Sequence, residues 1–387
     1  HYPLRRQRQM CIRDSQQVLS KKWRKNMAIL KRFKEILKKL GRILYRFKWW
    51  ILGVVGIVFL LFSLLYPLDY YIEMPGGAYD IRSVLTVDNK EDDEDGSYNF
   101  VAVTVSQATL AQLVYAWLTP YTEISTAADV TGGYSNADYL RINEYYMETS
   151  QNTATYQALT LAGKEATLDY QGVYVLNVSD NSTFKGILNI SDTVTGVNGQ
   201  TFNSSAELMA YVADLDLGSE VTVQYTSDGE AKEATGKIIE LSNGKNGIGI
   251  GLVDHTSVSS DVDVNFDTSG VGGPSAGLMF TLDIYDQLNS EDLRKGRKIA
   301  GTGTIESDGS VGDIGGAALK VVAAAKAGAD IFFVPNNPVD EETLKKDPDA
   351  KTNYEEAVAA AKDLDTDMKI VPVTTVQEAI DYLRNND

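Results

Sequence analysis

The chain has very little cysteine and histidine, two residue types on which many catalytic and metal sites depend. Its 387 residues include one cysteine, Cys11, and two histidines, His1 and His255. Disulfides therefore cannot cross-link the remainder of the chain, and neither a Cys–His dyad nor a histidine-rich zinc site can be built there. A Ser-His-Asp triad would have to use His255, for which we expect a structural role instead. We accordingly expect no metal site and no cofactor.

Charge is distributed unevenly along the sequence. Residues 1–48 carry 16 Lys and Arg against 2 Asp and Glu, and the whole chain has a net charge of −17, which leaves −31 for residues 49–387. So acidic a segment repels nucleic acid and anionic lipid. We therefore expect no nucleic-acid partner, and a preference for basic peptides is a further hypothesis.

A long uncharged stretch comes after the basic segment. Residues 49–68 contain no charged side chain, and about 20 helical residues span a hydrocarbon core of about 30 Å. Basic residues precede this stretch and acidic residues come after it, which predicts one transmembrane helix with residues 1–48 cytoplasmic and the rest extracellular. A cleaved signal peptide is the alternative, but no small-residue cleavage site closes the run. Residues 1–26 differ in character from the rest of the chain, so Met27 is an alternative native start.

A glycine-rich turn leads into an apolar segment near the middle of the acidic part. Gly270–Phe280 reads GVGGPSAGLMF, and the apolar run continues to Leu288. This pattern predicts a mostly buried helix with Ser275 at its N-terminus, where unpaired N–H groups and a partial positive charge would stabilise an anion. Alternatively, Ser275 is an ordinary helix cap.

A lysine occupies an unusual place in a second predicted helix. Lys320 lies one turn inside the Ala- and Val-rich segment Gly315–Gly328. Burial would disfavour its ammonium form, lower its pKa and allow it to act as a general base. The alternative is a lysine on a solvated helix face.

The two motifs together resemble the proteolytic domain of the Lon family of Ser–Lys peptidases. The resemblance rests on GGPSAG at 272–277, AGTGTI at 300–305 and GGxxLK at 315–320. It implies that Ser275 is the nucleophile, that Lys320 is the general base and that Thr302 assists the lysine. Val271 to Gly273 replace the charged residues usual in that family, and Ala318 replaces a common lysine. Both departures resemble membrane-anchored, PDZ-containing Lon-like peptidases.

A segment of different character, residues 165–242, resembles a bacterial PDZ domain. The family pattern is matched by Gly186, Leu188, Asp192, Val194 and Val197-Asn198-Gly199. The resemblance implies that an extended peptide binds as an added strand, with its carboxylate held near Gly172, Val173 and Tyr174 and residues 206–212 as the facing helix. The alternative is a module that only packs beside its neighbour.

The predicted fold is α+β, with residues 69–164 and 243–387 forming the Lon-type proteolytic domain and the PDZ domain inserted between them. The resemblance implies a membrane-anchored serine endopeptidase that cleaves flexible or unfolded peptides, and leaves a homo-oligomer open. No nucleotide-binding Gly-Lys-Ser/Thr loop occurs, so ATP-driven unfolding is not expected. Two alternatives are an inactive membrane-tethered PDZ scaffold and a hydrolase of non-peptide esters or amides.

Overall fold

The computed structural model describes residues 23, 27, 30–43, 45–289 and 291–386. The predictions for residues 1–22, which include His1 and Cys11, lie outside the described residues. The chain divides into two compact units. The first contains residues 1–67 and 109–112, and the second contains residues 68–108 and 113–387.

The secondary structure mixes helices and strands throughout, in agreement with the predicted α+β class. The strands are β1 (Pro67–Asp80), β2 (Leu85–Val87), β3 (Ser97–Thr109), β4 (Glu123–Thr126), β5 (Ala166–Val178), β6 (Thr193–Val197), β7 (Glu220–Ser227), β8 (Glu230–Lys237), β9 (Ile239–Glu240), β10 (Asn246–Gly247), β11 (Ile250–Ser260), β12 (Val264–Phe266), β13 (Lys298–Gly301), β14 (Thr304–Ile305), β15 (Val311–Gly312), β16 (Ile331–Pro335) and β17 (Lys369–Val373). The helices are α1 (Lys48–Leu65), α2 (Leu110–Leu118), α3 (Ala127–Thr131), α4 (Asn136–Leu161), α5 (Ser205–Ala213), α6 (Gly277–Leu288), α7 (Ala317–Lys326), α8 (Glu341–Lys346), α9 (Asn353–Asp363) and α10 (Val376–Asn385).

The helix α1 is the one described helix that is long and apolar enough to cross a membrane. It contains 18 residues, nearly all of them exposed, and ends three residues before the predicted boundary at residue 68. Residues 30–43 before it are also helical. Length and composition are therefore compatible with a membrane anchor.

Six strands from distant parts of the sequence form the central sheet, in the order β17, β16, β13, β3, β1 and β4. β3, β13, β16 and β17 run parallel to their neighbours within this set. Helices cover both faces, so side chains of β16 alternate between two cores: Phe333 contacts the core that includes α4, α6 and α10, whereas Phe332 contacts the core that includes α7 and α9. Burial on both faces explains the continuous apolar run of β16.

A second sheet of five strands, in the order β11, β5, β6, β7 and β8, has its own core around Val175, Val194 and Val223. Residues 166–260 are thus inserted, in chain order, between strands of the central sheet. β11 lies beyond the predicted boundary at residue 242, because its glycine and polar residues gave no sign of pairing with a strand more than seventy positions earlier.

The first strand of the central sheet contains a Pro-Gly-Gly sequence, which taken alone is more typical of a turn. β1 continues through Pro75, Gly76 and Gly77 without turning. A Cβ on Gly76 would lie 2.4 Å from the carbonyl oxygen of Ala102 on β3. Gly76 therefore serves the close approach of two strands, a role that a sequence cannot distinguish from a turn.

A buried arginine links the acidic loop before β3 to the segment after α6. The side chain of Arg294 is 1% exposed and donates hydrogen bonds to Asp92 at 2.6 and 2.7 Å and to Glu94 at 2.8 Å. Its Nε lies 3.1 Å from a carboxylate oxygen of buried Asp286, without hydrogen-bond geometry. A charge this deeply buried requires its partners, since removing one leaves the others uncompensated.

We predict that Arg294→Ala lowers the free energy of unfolding by about 3–5 kcal/mol, because Asp92 loses its buried counterion. Arg384→Ala is the matched control: Arg384 also pairs with a carboxylate, Glu291 at 2.7 Å, but its side chain is 36% exposed. The control should lose less than about 1 kcal/mol. Urea unfolding of the full chain in detergent, followed by circular dichroism, measures both, and equal losses would contradict the prediction.

Candidate active site

Ser275 lies in a turn between two glycines that pack closely on neighbouring elements. Gly273 has a φ of +89°, which favours glycine, and its N–H donates to the carbonyl of Asn143 in α4 at 2.9 Å. On the other side, a Cβ on Gly277 would lie 2.6 Å from a side-chain carbon of Ile305. The hydroxyl of Ser150, also in α4, donates to the carbonyl of Pro274 at 2.9 Å. The turn is therefore held on both sides of Ser275.

Lys320 approaches Ser275 from the first turn of α7. Its Nζ lies 2.7 Å from the Oγ of Ser275, and the residue is 3% exposed. The surrounding helix is built from alanine and valine, so few polar groups replace the water that the amine loses. Burial lowers the pKa of Lys320 to about 7, and a large fraction of the lysine is therefore neutral near neutral pH.

Thr302 connects the other two residues. It comes directly after β13, is completely buried, and its hydroxyl lies 3.0 Å from the Nζ of Lys320. The same hydroxyl donates to the carbonyl of Ser275 at 3.1 Å, and the N–H of the next residue, Gly303, donates to that carbonyl at 2.9 Å. Thr302 therefore fixes the amine and the serine backbone relative to each other.

Two backbone N–H groups beside the serine hydroxyl remain available. Within the described part of the chain, neither the N–H of Ser275 nor that of Ala276 donates to any acceptor. Both precede the first residue of α6, where the helix dipole is positive. Ser275 itself lies two residues before the helix, slightly outside the position that the sequence predicted. The pair of N–H groups could hold an oxyanion.

Comparison with known proteins identifies two domains in the chain. Residues 252–383 match the model of the Lon protease C-terminal proteolytic domain, and residues 149–238 match the model of the PDZ domain. The chain carries a Lon-type proteolytic domain and a PDZ domain. This confirms the resemblance drawn from the sequence motifs, and Ser275, Thr302 and Lys320 all lie in the Lon-type domain.

Three relatives illustrate the similarity. The Lon protease of Ureaplasma parvum is 27% identical over 223 residues, covering 53% of this chain and 26% of the relative. The Lon protease of Mycoplasma mobile is 31% identical over 131 residues, covering 31% and 15%. The archaeal Lon protease of Halobacterium salinarum is 30% identical over 112 residues, covering 29% and 13%. The chain thus spans about a quarter or less of the length of these relatives.

Among solved structures, the PDZ domain of an SdrC-like protein from Listeria monocytogenes is 33% identical to this chain. The match covers 22% of this chain and 90% of that one, with a TM-score of 0.21. A similar PDZ domain from Listeria innocua is 35% identical, covers 22% and 93%, and has a TM-score of 0.20.

The three PDZ residues predicted to hold a peptide lie inside the sheet. Gly172, Val173 and Tyr174 belong to β5, and Val173 pairs with Asp254 of β11 on one edge and with Val194 of β6 on the other. A peptide strand cannot pair with an edge that is already occupied. Gly172 instead has a φ of +137°, and a Cβ there would lie 2.2 Å from the carbonyl of Val194, so it permits close strand approach.

His255 lies in the same region and contributes to packing. Its ring stacks on Tyr174 with centroids 4.0 Å apart, and its Nδ1 lies 3.0 Å from the hydroxyl of Thr193. Burial lowers the pKa of His255. These contacts agree with the structural role expected for this histidine, since its hydrogen bond is made within the PDZ sheet.

The free strand edge of the PDZ sheet faces a large cleft. β11 is the outer strand, and no described strand pairs with its other edge. That edge and α5 line a cavity of about 920 Å³, which Gly247, Ile248 and Gly249 close at one end and Pro274, Thr304 and Glu306 border on the protease side. Residues 206–212, predicted from the sequence as the facing helix, lie in α5 on the wall of this cavity. The cleft therefore belongs to both domains.

The sequence reasoning missed several residues that shape the site. Ser150 and Asn143 lie more than 120 positions before Ser275, and nothing in the sequence marks them as its neighbours. The repeat of glycine and isoleucine in Gly247–Gly251 was a usable signal, since alternating glycines before a strand suit a backbone loop that binds an anion.

The low pKa of Lys320 predicts how stability depends on pH. The folded pKa lies near 7, below the ordinary lysine value of 10.5. The unfolded state then binds more protons between these values, so stability rises with pH from about 7 to 10.5. Lys320→Met removes this contribution. We expect the difference in unfolding free energy between parent and variant to grow in the parent's favour over that range, measured by urea unfolding at several pH values; a constant difference would contradict it.

Proposed function

We propose that the chain is a membrane-anchored, ATP-independent serine endopeptidase in which Ser275 is the nucleophile and Lys320 the general base. The observation that carries the proposal is the 2.7 Å contact between the hydroxyl of Ser275 and a buried amine whose pKa is lowered to about 7. A serine next to a base that is neutral at working pH meets the requirement for an activated nucleophile.

The reaction can be derived from these positions. The neutral amine of Lys320 takes the proton of Ser275 as its oxygen attacks the scissile carbonyl, and the resulting ammonium then protonates the leaving amine. The N–H groups of Ser275 and Ala276 would receive the oxyanion, an arrangement worth about 10²–10³-fold in rate per donor. Thr302 is a positioning residue that keeps the amine in line. Water then hydrolyses the acyl-enzyme with Lys320 as base.

Substrates are proposed to be extended peptides or unfolded segments. The edge of β11 from Ile250 to Val253 can accept an extended chain by strand addition, and α5 supplies the opposite wall of the groove. Beyond this stretch, Thr149 and Asn152 of α4 already bind the carbonyls of Asp254 and Thr256. The N–H groups of the loop Gly247–Gly249 lie at the end of the groove, where a terminal carboxylate would bind. With α1 as the anchor, the acidic domains lie outside the cell and the basic residues 30–48 inside.

Two single substitutions test the dyad. Ser275→Ala and Lys320→Ala should each reduce cleavage of an unstructured peptide pool, without ATP, by at least about 10³-fold, because each removes a partner of one chemical step. Lys326→Ala, which removes a lysine at the far end of the same helix, is the control and should retain the parent rate. The parent's kcat/KM should rise with pH through about 7. An inert parent would favour the PDZ scaffold instead, and full activity in either alanine variant would overturn the assignment of the dyad.

A second test concerns Thr302. Thr302→Val keeps the shape but removes both the contact with the amine of Lys320 and the hydrogen bond to Ser275, so kcat should fall by about 10- to 100-fold with little change in KM. Thr302→Ser retains the hydroxyl and should restore most of the rate. Peptide-cleavage kinetics measure both rates. A parent-like rate in Thr302→Val together with a loss in Thr302→Ser would contradict the role of the hydroxyl and indicate that packing of the methyl group matters instead.

A further inference from the structure

The cleft between α5 and β11 has two chemically different ends. The N–H of Ser205, at the start of α5, donates to the carboxylate of Asp254 at 3.2 Å, whereas the side chain of Asn246 donates to the carbonyl of Leu215, just after the end of α5. The strand and the helix are therefore antiparallel, with residues 245–249 at one end and Asp254 at the other. Lys245 lines the first end, so this end suits a carboxylate.

The second end is acidic. Asp254 of β11 and Glu306 of the β14–β15 hairpin both line the cavity, one from the five-stranded sheet and one from the hairpin. Partial burial, Asp308 and Asp254 raise the pKa of Glu306, which places the two lining carboxyl groups close enough to repel each other. Within the described residues, neither Asp254 nor Glu306 forms a salt bridge with Lys or Arg. The acidic pair thus lacks a counterion.

A buried hydroxyl beside this pair also lacks a partner. Thr256 lines the same cavity two residues after Asp254 and is 6% exposed, and its Oγ1 makes no hydrogen bond to any described residue. A buried hydroxyl without a partner costs free energy. Thr256 therefore marks a point in the cleft where a polar ligand group would be stabilised independently of the two carboxylates.

We propose that this end of the cleft, formed by Asp254, Thr256 and Glu306, binds the ammonium group of a substrate lysine about four residues before the carboxyl terminus held at the glycine loop. The proposal rests on the peptide groove described above and adds the class of substrate it selects: peptides with a basic side chain upstream of a free carboxyl terminus.

The chemistry and the spacing support this assignment. An ammonium group has three donors and no acceptor, and the subsite offers two carboxylates and one hydroxyl oxygen. A peptide that pairs antiparallel to β11 moves back one residue for each step from Ile250. Its fourth residue before the terminus therefore lies beside Asp254, about 14 Å away, at the point where Thr149 of α4 binds the carbonyl of Asp254 and backbone pairing ends. Because Asp254 belongs to the five-stranded sheet and Glu306 to the β14–β15 hairpin, the lysine would bridge these two elements.

The test measures binding of fluorescein-labelled octapeptides to the full chain in detergent, carrying Ser275→Ala to prevent cleavage. One peptide has lysine four residues before a free C-terminal carboxylate, and its partner has N-acetyl-lysine at the same position, which keeps the length and removes the charge. A third peptide has lysine only two residues before the terminus. An amidated version of the first probes the carboxylate end.

We expect the lysine peptide to bind about five-fold more tightly than the acetyl-lysine peptide, and the misplaced lysine to lose that advantage. Asp254→Asn combined with Glu306→Gln should abolish the difference, since both amides retain the shape of the acids and the amide oxygen at position 254 could still accept from the N–H of Ser205. Asp308→Asn, which neutralises a neighbouring carboxylate that does not line the cavity, should preserve it.

Equal affinity for the two matched peptides, or discrimination that survives the double substitution, would overturn the lysine subsite while leaving the groove and the dyad intact. Failure of every peptide to bind would overturn the groove and the lysine subsite together. Cleavage by the unsubstituted chain is measured separately, so either failure remains distinguishable from failure of the Ser275–Lys320 mechanism.

Discussion

The chemistry of the candidate active site depends on the burial of one amine, that of Lys320. The amine of Lys320 lies within 3.0 Å of both Ser275 and Thr302, inside a helix whose other buried residues are Ala, Leu and Val. Burial costs free energy for the charged form, and the same cost makes the neutral form accessible at ordinary pH. The two hydroxyl groups give the amine hydrogen-bond partners. The closely packed alanines around Lys320 therefore also provide the neutral amine that can act as a base.

The helix α4 connects this site with the PDZ sheet through short polar side chains. Ser150 binds the carbonyl next to Ser275, while Thr149 and Asn152 donate to the carbonyls of Asp254 and Thr256 in β11 at 2.7 and 2.9 Å. Hydrogen bonds from one rigid helix therefore fix the serine turn and the groove strand together.

Features that depend on residues close together in the sequence could be predicted from the sequence alone. The serine turn needs glycines beside Ser275, and Lys320 stands out as a charge among alanines, so both were recognisable. The edge strand of the PDZ sheet could not be recognised in the sequence, because an edge is defined by pairing between distant segments. Gly172 and His255, for example, lie opposite each other only because β5 and β11 pair. The role of Gly76 is likewise not visible in the sequence, since only its contact with Ala102 reveals it.

Insertion of the PDZ sheet constrains the groove more strongly than attachment by a single linker would. β5 leads into the sheet and β11 leads out, and they pair with each other from Val178 and Ile250 to Ala166 and Ser260. A two-stranded connection with side-chain contacts to α4 resists the rotation that one flexible linker permits. Asp254 and Glu306 can therefore keep a fixed separation although they belong to different sheets. A binding site shared between domains requires that constancy, because a carboxylate displaced by a few ångströms no longer contacts a bound ammonium group.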